Sequence, residues 1–468
     1  MTHFSDKLKQ YTERRGVTIV SLAKQLGIDR ATLHKIISGE RRPTSEQLVQ
    51  DISRILLLSV DETNELMELY KRTIMGENVY RRRLMVRRMI ERLSNFDLKT
   101  AENADCSEPP DFPAIKACFN HDELLRGIKN ILIPSVRKGS AVRIVAQPSE
   151  KLSPVFIMSA ARGAVIEQII CFDNSSDNSD SDCFNLDIFP EICTFALFYP
   201  EYCPLCYYDK VEAHINSMTL LPVLIVTDEV VVCADSELNS GMIYKDPMTV
   251  RFYKGVFGKL RDNCYPFLQV DKDFEQMISR GSEYPKYTLT FDYQPSIVLA
   301  ADEEHLRHML EPDSNYAQSV VRRSKRLKER FLGMGYINIF ALDGLRDFLD
   351  TGLSTELSTP PSRALTMNER VKILRTMISL AENRSYEYRI IKKEYAPSGI
   401  RVSLLESRNV KLVSHLPDRS MAFVNVTEQS IVYAFNDYIG YLLSEGIVLS
   451  REKTLELMRN ELDRYDFQ

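Results

Sequence analysis

The sequence predicts a multidomain chain: an all-α head of five helices, then a large α/β (or α+β) body made of two similar halves. Three observations predict it. Residues 4–70 carry apolar side chains at helical spacing, interrupted by glycines and by Ser, Thr or Asp where helices begin. From Pro113 onward, short β-branched runs alternate with amphipathic stretches. Two stretches of the body, starting at Asp228 and Ser407, repeat one pattern about 180 residues apart.

Composition bounds the function classes. A chain of 468 residues is long enough for two or more cores. Its 44% hydrophobic and 27% charged content marks a globular protein rather than a disordered one. No run of about 18 uncharged apolar residues occurs, so no membrane span is expected. "MTHFSDKLKQYTERRG" has no apolar h-region, so no secretory signal is expected. Nine cysteines, an odd number, suit a reducing cytoplasmic compartment better than a disulfide framework. The net charge of −5 is unevenly spread: residues 1–95 hold 18 Lys/Arg against 12 Asp/Glu, the remainder 42 against 53. A basic head on an acidic body directs the head towards a polyanion.

The head begins with "FSDKLKQYTERRG", the first helix. Thr18 is placed to cap a second, about Ile19 to Leu26. Gly27 stands where the chain must turn with positive φ. Asp29 is an N-cap for a third helix, about Arg30 to Ser38, which Gly39 ends. "PTSEQL" opens the fourth, with Thr44 and Gln47 at capping-box spacing. "DETNELMELYKR" is the fifth, with Asp61 as its cap.

Ala23, Gly27, Leu33 and Ile36 stand at the spacings of a helix-turn-helix. In these residues, roughly Phe4 to Tyr70, the chain resembles the Cro/phage-repressor-like (XRE-type) helix-turn-helix transcriptional regulators. The resemblance implies a five-helix DNA-binding domain whose second motif helix enters the major groove. One departure is Ser21, where a capping-box Glu is common in that family. The alternative is a five-helix bundle that touches no DNA. Once Leu33, Ile36 and Ile37 go inside, Arg30, Ala31, Thr32, His34 and Lys35 remain as candidate base readers. Arg and Lys suit guanine edges, and Ala31 or the Thr32 methyl suits a thymine methyl. Ser38, Arg41 and Arg42 are candidate phosphate contacts. The resemblance adds the backbone amides near Thr18, at a helix N-terminus.

"NVYRRRLMVRRMIERLSN" has Val86, Met89, Ile90 and Leu93 at i, i+3, i+4, i+7. It is a helix for dimerisation, for further DNA contact, or for packing on head or body. "TAENADCSEPPDFP" follows as a linker. The expected domains are therefore 1–76, a connector at 77–113, and body halves at 114–290 and 291–468. Expected strands of the body include Ala141–Gln147, Val223–Asp228, Val230–Asp235, Tyr386–Lys393, Ile400–Glu406 and Val410–Leu416. Two similar halves leave a cleft between them, a favoured ligand position. The outline resembles the duplicated phospholipase-D-like fold in its catalytically inactive, sensing form. That family's chemistry needs His-x-Lys, and none of the seven histidines here has Lys two places on.

Other chemistry is sparse. Cys203 and Cys206 form a lone C-x-x-C, a metal or redox candidate weighed against packed structural thiols. His305 and His308 lie one helical turn apart, again with a plain solvated helix as the alternative. "NSSDNSDSD" (Asn174–Asp182) lacks the glycine and final Glu of a calcium loop and is a surface loop. "VVRRSKRLKER" (Val320–Arg330) is a basic helix, for DNA or for acidic groups of its own domain. The sequence thus points to a non-enzymatic, one-component transcription regulator without cofactor or metal. Its partners would be a double-stranded operator, a second copy of itself, and a small-molecule or protein effector on the body, with no membrane. Two alternatives stand beside it: a protein-interaction module such as an antitoxin or defence component, and an enzyme carrying a DNA-targeting domain.

Overall fold

The computed structural model describes residues 3–94, 113–152, 155–156, 159, 163–174, 181–199, 201–209, 221–271, 287–310, 315–331, 335–357, 363–383, 386–406, 408–415 and 421–466. Most of the expected linker and of the Asn174–Asp182 loop lies outside them. The chain forms two compact units, Met1–Leu84 and Met85–Gln468.

The first unit holds α1 (His3–Arg14), α2 (Ile19–Leu26), α3 (Arg30–Ile37), α4 (Glu46–Ile55) and α5 (Val60–Met75). Their apolar stripes meet in one core that includes Phe4, Leu8, Leu22, Leu33, Ile36, Ile52 and Leu66. Two caps differ from expectation. Ser45, not Thr44, has the extended backbone of an N-cap and accepts from Leu48 N at 3.2 Å. Ser59, not Asp61, caps α5 in a full capping box, because Glu62 reaches back to its amide at 2.9 Å.

Helix α6 (Glu77–Ser94) crosses the boundary of the two units. Val86, Met89, Ile90 and Leu93 are buried in the core of the second unit. Arg87 stacks over Tyr395, 4.6 Å from the ring centre, and donates to Glu394 O at 3.1 Å. Arg92 pairs with Glu191 at 2.5 Å. Of the readings given for this stripe, packing on the body is the one seen, and Met85–Ser94 fall within the second unit.

The second unit contains two mixed sheets, of eight and seven strands. The first is built from β1 (Ile115–Cys118), β2 (Val142–Val145), β3 (Ile166–Asp173), β4 (Tyr202–Asp209), β5 (Val223–Val226), β6 (Val231–Ala234), β7 (Gly241–Tyr244) and β8 (Tyr265–Pro266). The second is built from β9 (Leu268–Asp271), β10 (Tyr287–Phe291), β11 (Gly335–Ala341), β12 (Glu387–Ile391), β13 (Ile400–Leu405), β14 (Asn409–His415) and β15 (Met421–Val426). In the first, β2, β3 and β4 are parallel, and β5, β6, β7 and β1 continue antiparallel from β2. In the second, β10, β11 and β12 are parallel, and β13, β14, β15 and β9 continue antiparallel from β10. The connectivity is the same. Even the short edge strand β8 beside β4 has a counterpart, the bridge of Ile391 to Val448 beside β12.

The expected duplication is thus a fact of topology. Helices α7 (His121–Arg137), α8 (Ser181–Phe198) and α9 (Pro247–Arg261) belong to the first sheet's segment. Helices α10 (Glu303–Met309), α11 (Asn315–Phe331), α12 (Leu342–Thr351), α13 (Met367–Glu382), α14 (Gln429–Ser444) and α15 (Arg451–Asp466) belong to the second's. The change of sheet falls between Pro266 and Leu268, inside the stretch assigned by sequence to the first half. The reason is that β9 is the counterpart of β1, the edge strand that opens the duplicated unit.

Buried amides sit at matching places. Gln168 lies opposite Ile144 on the β2–β3 ladder, and Asn338 opposite Thr290 on the β10–β11 ladder. Each holds the chain that leaves the first parallel strand: Gln168 donates to Ala146 O at 2.9 Å, and Asn338 accepts from Ser296 N at 2.9 Å. The loop after β10 is buried, so its amides need partners. The Glu356 carboxylate accepts from Ile297 N at 2.8 Å, Val298 N at 3.1 Å and Ser296 Oγ at 2.7 Å. The first turn of α12 presses on the same loop. A Cβ placed on Gly344 would stand 1.9 Å from Tyr293 O.

The His305–His308 pair does not converge. His305 Nδ1 accepts from Asp302 N at 3.2 Å and so caps its own helix. His308 Nδ1 lies 2.8 Å from the Glu369 carboxylate at the start of α13. Burial pushes the Glu369 carboxyl up, but hydrogen bonds from His308 and Thr366 outweigh it and pull the group from 4.5 down to about 2.

Two predictions follow from this packing. Gly344→Ala must displace the Tyr293 backbone, and should lower unfolding stability by about 1–3 kcal/mol, read as a lower urea midpoint at unchanged slope. Glu369 binds protons less readily folded than unfolded. Its contribution is therefore present above about pH 4.5 and is lost as pH falls towards about 2. Urea midpoints measured across that window should fall less steeply in Glu369→Gln than in the native chain.

Candidate nucleic-acid interface

The site is assembled on two short helices and the turn between them. Thr18 leaves the preceding loop with φ −75° and ψ 149°, and its Oγ accepts from Ser21 N at 3.2 Å. Position 21 is serine, so α2 lacks the capping-box carboxylate that Glu62 gives α5. Gly27 closes α2 at φ 66°, and its amide points back to Ala23 O and Lys24 O. Ala23 is buried in the core that α2 and α3 share with Leu22, Leu33 and Ile36. Asp29 Oδ2 then accepts from Ala31 N at 2.9 Å and Thr32 N at 3.2 Å, which fixes the start of α3.

The buried row of α3 is Leu33, Ile36 and Ile37. Opposite it, Arg30, Ala31, His34 and Lys35 are exposed. Thr32 is half-buried at the flank of the apolar row and is less open than the other four. Ser38 Oγ lies 3.2 Å from Lys35 O and 3.1 Å from Glu40 Oε1, so its single proton has acceptors within the protein. Arg41 is exposed, and its amide donates to Lys35 O at 3.0 Å. Arg42 is exposed but donates to Ile74 O at 3.4 Å, at the C-terminal end of α5. That bond holds one nitrogen of a guanidinium that has five N–H donors. Helix α2 adds its own exposed row, Ser21, Lys24 and Gln25. Its i, i+3, i+4 spacing was legible in the sequence, yet the candidate set above omits it.

The candidates of the second unit separate. Cys203 and Cys206 lie on β4, where residues three apart point to opposite faces. Cys206 joins the main core, whereas Cys203 packs with Ile169, Leu205 and Phe257 on the other face. One metal ion cannot reach both sulfurs. Burial pushes the Cys206 thiol up to about 12 and also raises Cys203, so both are poor nucleophiles at neutral pH. Among the described residues, no cluster of three or more His, Cys, Asp or Glu is placed to hold a metal ion. In the basic run of α11, Lys328 donates to Ala301 O within its own unit, and burial lowers its pKa. Among the described residues, no helix is long and apolar enough to cross a membrane.

Similarity to known proteins divides in the same way. No curated protein matches the chain. Phosphatidylserine synthase from Haemophilus influenzae is 8% identical, with a TM-score of 0.24 over 82% of this chain and 99% of that one. Polyphosphate kinase from Porphyromonas gingivalis is 10% identical, with a TM-score of 0.22 over 73% of this chain and 53% of that one. TrmBL2, an archaeal chromatin protein, is 9% identical, with a TM-score of 0.21 over 57% of this chain and 94% of that one. Scores this low carry no argument about the second unit. Residues 3–66 match the model of the helix-turn-helix domain, so the first unit is a helix-turn-helix domain.

Proposed function

We propose that the chain is a sequence-specific, DNA-binding transcription regulator of the cytoplasm. It reads a double-stranded operator with its first unit and uses its second unit for sensing and assembly. The observation that carries the reading is the exposed row Arg30, Ala31, His34 and Lys35, on a helix capped by Asp29 and anchored by Leu33, Ile36 and Ile37. Arg30 and Lys35 suit guanine edges, Ala31 and the Thr32 methyl suit thymine, and Thr18, Ser38, Arg41 and Arg42 lie beside the phosphates. One head of this size buries modest DNA surface, so the operator is two-fold and the regulator a homodimer. The second unit acts without catalysis. Its sequence lacks the His-x-Lys that hydrolysis on the duplicated phospholipase-D-like plan requires. An effector, small molecule or protein, would act by preferring one arrangement of the dimer. A differential affinity of about 1–3 kcal/mol gives 5–150-fold control.

Binding-site selection with the full chain tests the reading directly. A single enriched sequence motif is expected, and retention of random DNA without enrichment would reject it. Arg30→Ala should lose about 1–3 kcal/mol at one base pair and relax the preference there, with the rest of the motif intact. Neutralising Arg41 and Arg42 together should weaken binding to every sequence alike. It should also flatten the log–log salt dependence by roughly 0.9 per lost phosphate contact. A change of preferred sequence at constant slope would instead make these two arginines base readers.

A further inference from the structure

The duplication gives the exposed side of α9 a reference. Helices α9 and α14 follow equivalent strands, β7 and β15, and begin 182 residues apart, at Pro247 and Gln429. Each packs one side on its own sheet. Part of the other side of α14, around Ser430 and Ala434, is covered by α8 of the first half, whereas Tyr433 stays 55% exposed. Asn185 of α8 donates to Ser430 Oγ at 3.2 Å, and Ala434 is fully buried. The same positions on α9 are Met248 and Phe252, which are 75% and 65% exposed. Large apolar side chains thus occupy, uncovered, the places that are small and covered in the other copy of the fold. Leu260 and, just beyond the helix, Tyr265 are exposed as well.

We propose that this side of α9 is the surface through which two copies of the chain pair, an inference that rests on the homodimer reading above. Three features favour a second copy over another partner. In the duplicated unit, the positions equivalent to Met248 and Phe252 already face the other half of this fold, at Ser430 and Ala434. The patch also complements itself, as a two-fold interface requires. A Cβ added at Gly255 or Gly258 would meet nothing within 4 Å, so two copies of the helix can approach closely there, with Phe252 one turn from the partner's Gly258. Charge matches too. Arg251 and Asp262 are exposed on this side, and among the described residues neither has a side-chain ion pair. When two copies of α9 lie antiparallel with Gly255 opposite the partner's Gly258, Arg251 falls opposite the partner's Asp262. Two cross-interface ion pairs then flank the glycines.

Light scattering and sedimentation equilibrium of the full chain test this with four variants. The native chain should have twice the monomer mass of 53.9 kDa. Phe252→Asp, Arg251→Asp and Asp262→Arg should each weaken the dimer by at least ~10-fold at unchanged unfolding temperature. The combined Arg251→Asp, Asp262→Arg chain should regain the native dimer. If all variants stay as dimeric as the native chain, the α9 surface is wrong and the homodimer reading survives. A native chain that is monomeric at every concentration removes both. Loss of the dimer in Phe252→Asp with no recovery in the charge swap overturns the antiparallel register.

Discussion

Three parallel strands lie towards one end of each sheet, and parallel strands need cover on both faces. The second unit is organised by how that cover is supplied. One face of each sheet contributes to a shared core, into which α6, α7, α8 and α14 also pack. The far face of β11 and β12 in the second sheet is closed by α10, α11, α12, α13 and α15, whereas Val413, Met421 and Phe423 of β14 and β15 form a small cluster of their own. The far face of the first sheet has a thinner cover. Its apolar residues, among them Val226, Val231, Ile169 and Leu205, group with Val250 and Phe257 of α9. Two copies of one topology have therefore been closed by different means, and the buried amides at Gln168 and Asn338 are among the few side-chain devices they share.

The head was legible in the sequence because every decision in it is local. Gly27 needs a positive φ, Asp29 sits one residue before the helix it caps, and the apolar rows follow the helical period. The two misplaced caps show the limit of spacing alone. Thr44 and Ser45 are both good caps, and only the backbone at Ser45 is extended in the required way. For α5 the deciding residue was Glu62, which also takes Arg14 and Arg15 at 3.0 Å and so answers to a helix 47 or more residues away.

In the body, the β-branched strands and the repeat were readable, whereas long-range partners were not. Strand β9 is short, follows a proline, and belongs to a sheet whose other strands begin at Tyr287. Its membership is fixed by pairing with β15, more than 150 residues later. The arginine-rich α6 carried a clear amphipathic signal, but periodicity does not say what an apolar stripe meets. The C-x-x-C left a metal reading beside the packed-thiol reading for a related reason. On a helix or a tight turn that spacing brings two thiols together, and on β4 it turns them apart. For the candidate site, exposure of the α3 row could be inferred by subtraction, whereas the bond from Arg42 to Ile74 O could not.

The equivalent helices also keep a record of their surroundings in their composition. Helix α14, the more deeply buried of the two, has no lysine or arginine in its 16 residues. Helix α9, open on one side, has Arg251, Lys254, Lys259 and Arg261 in 15. After a duplication both copies start with one sequence, and each position then drifts within the solvation its new neighbours allow. A buried cation without a partner is removed by selection, whereas a solvated one is tolerated and keeps the surface soluble. Comparing charge between paired helices of a duplicated chain therefore dates neither copy, but it does tell which of the two became interior.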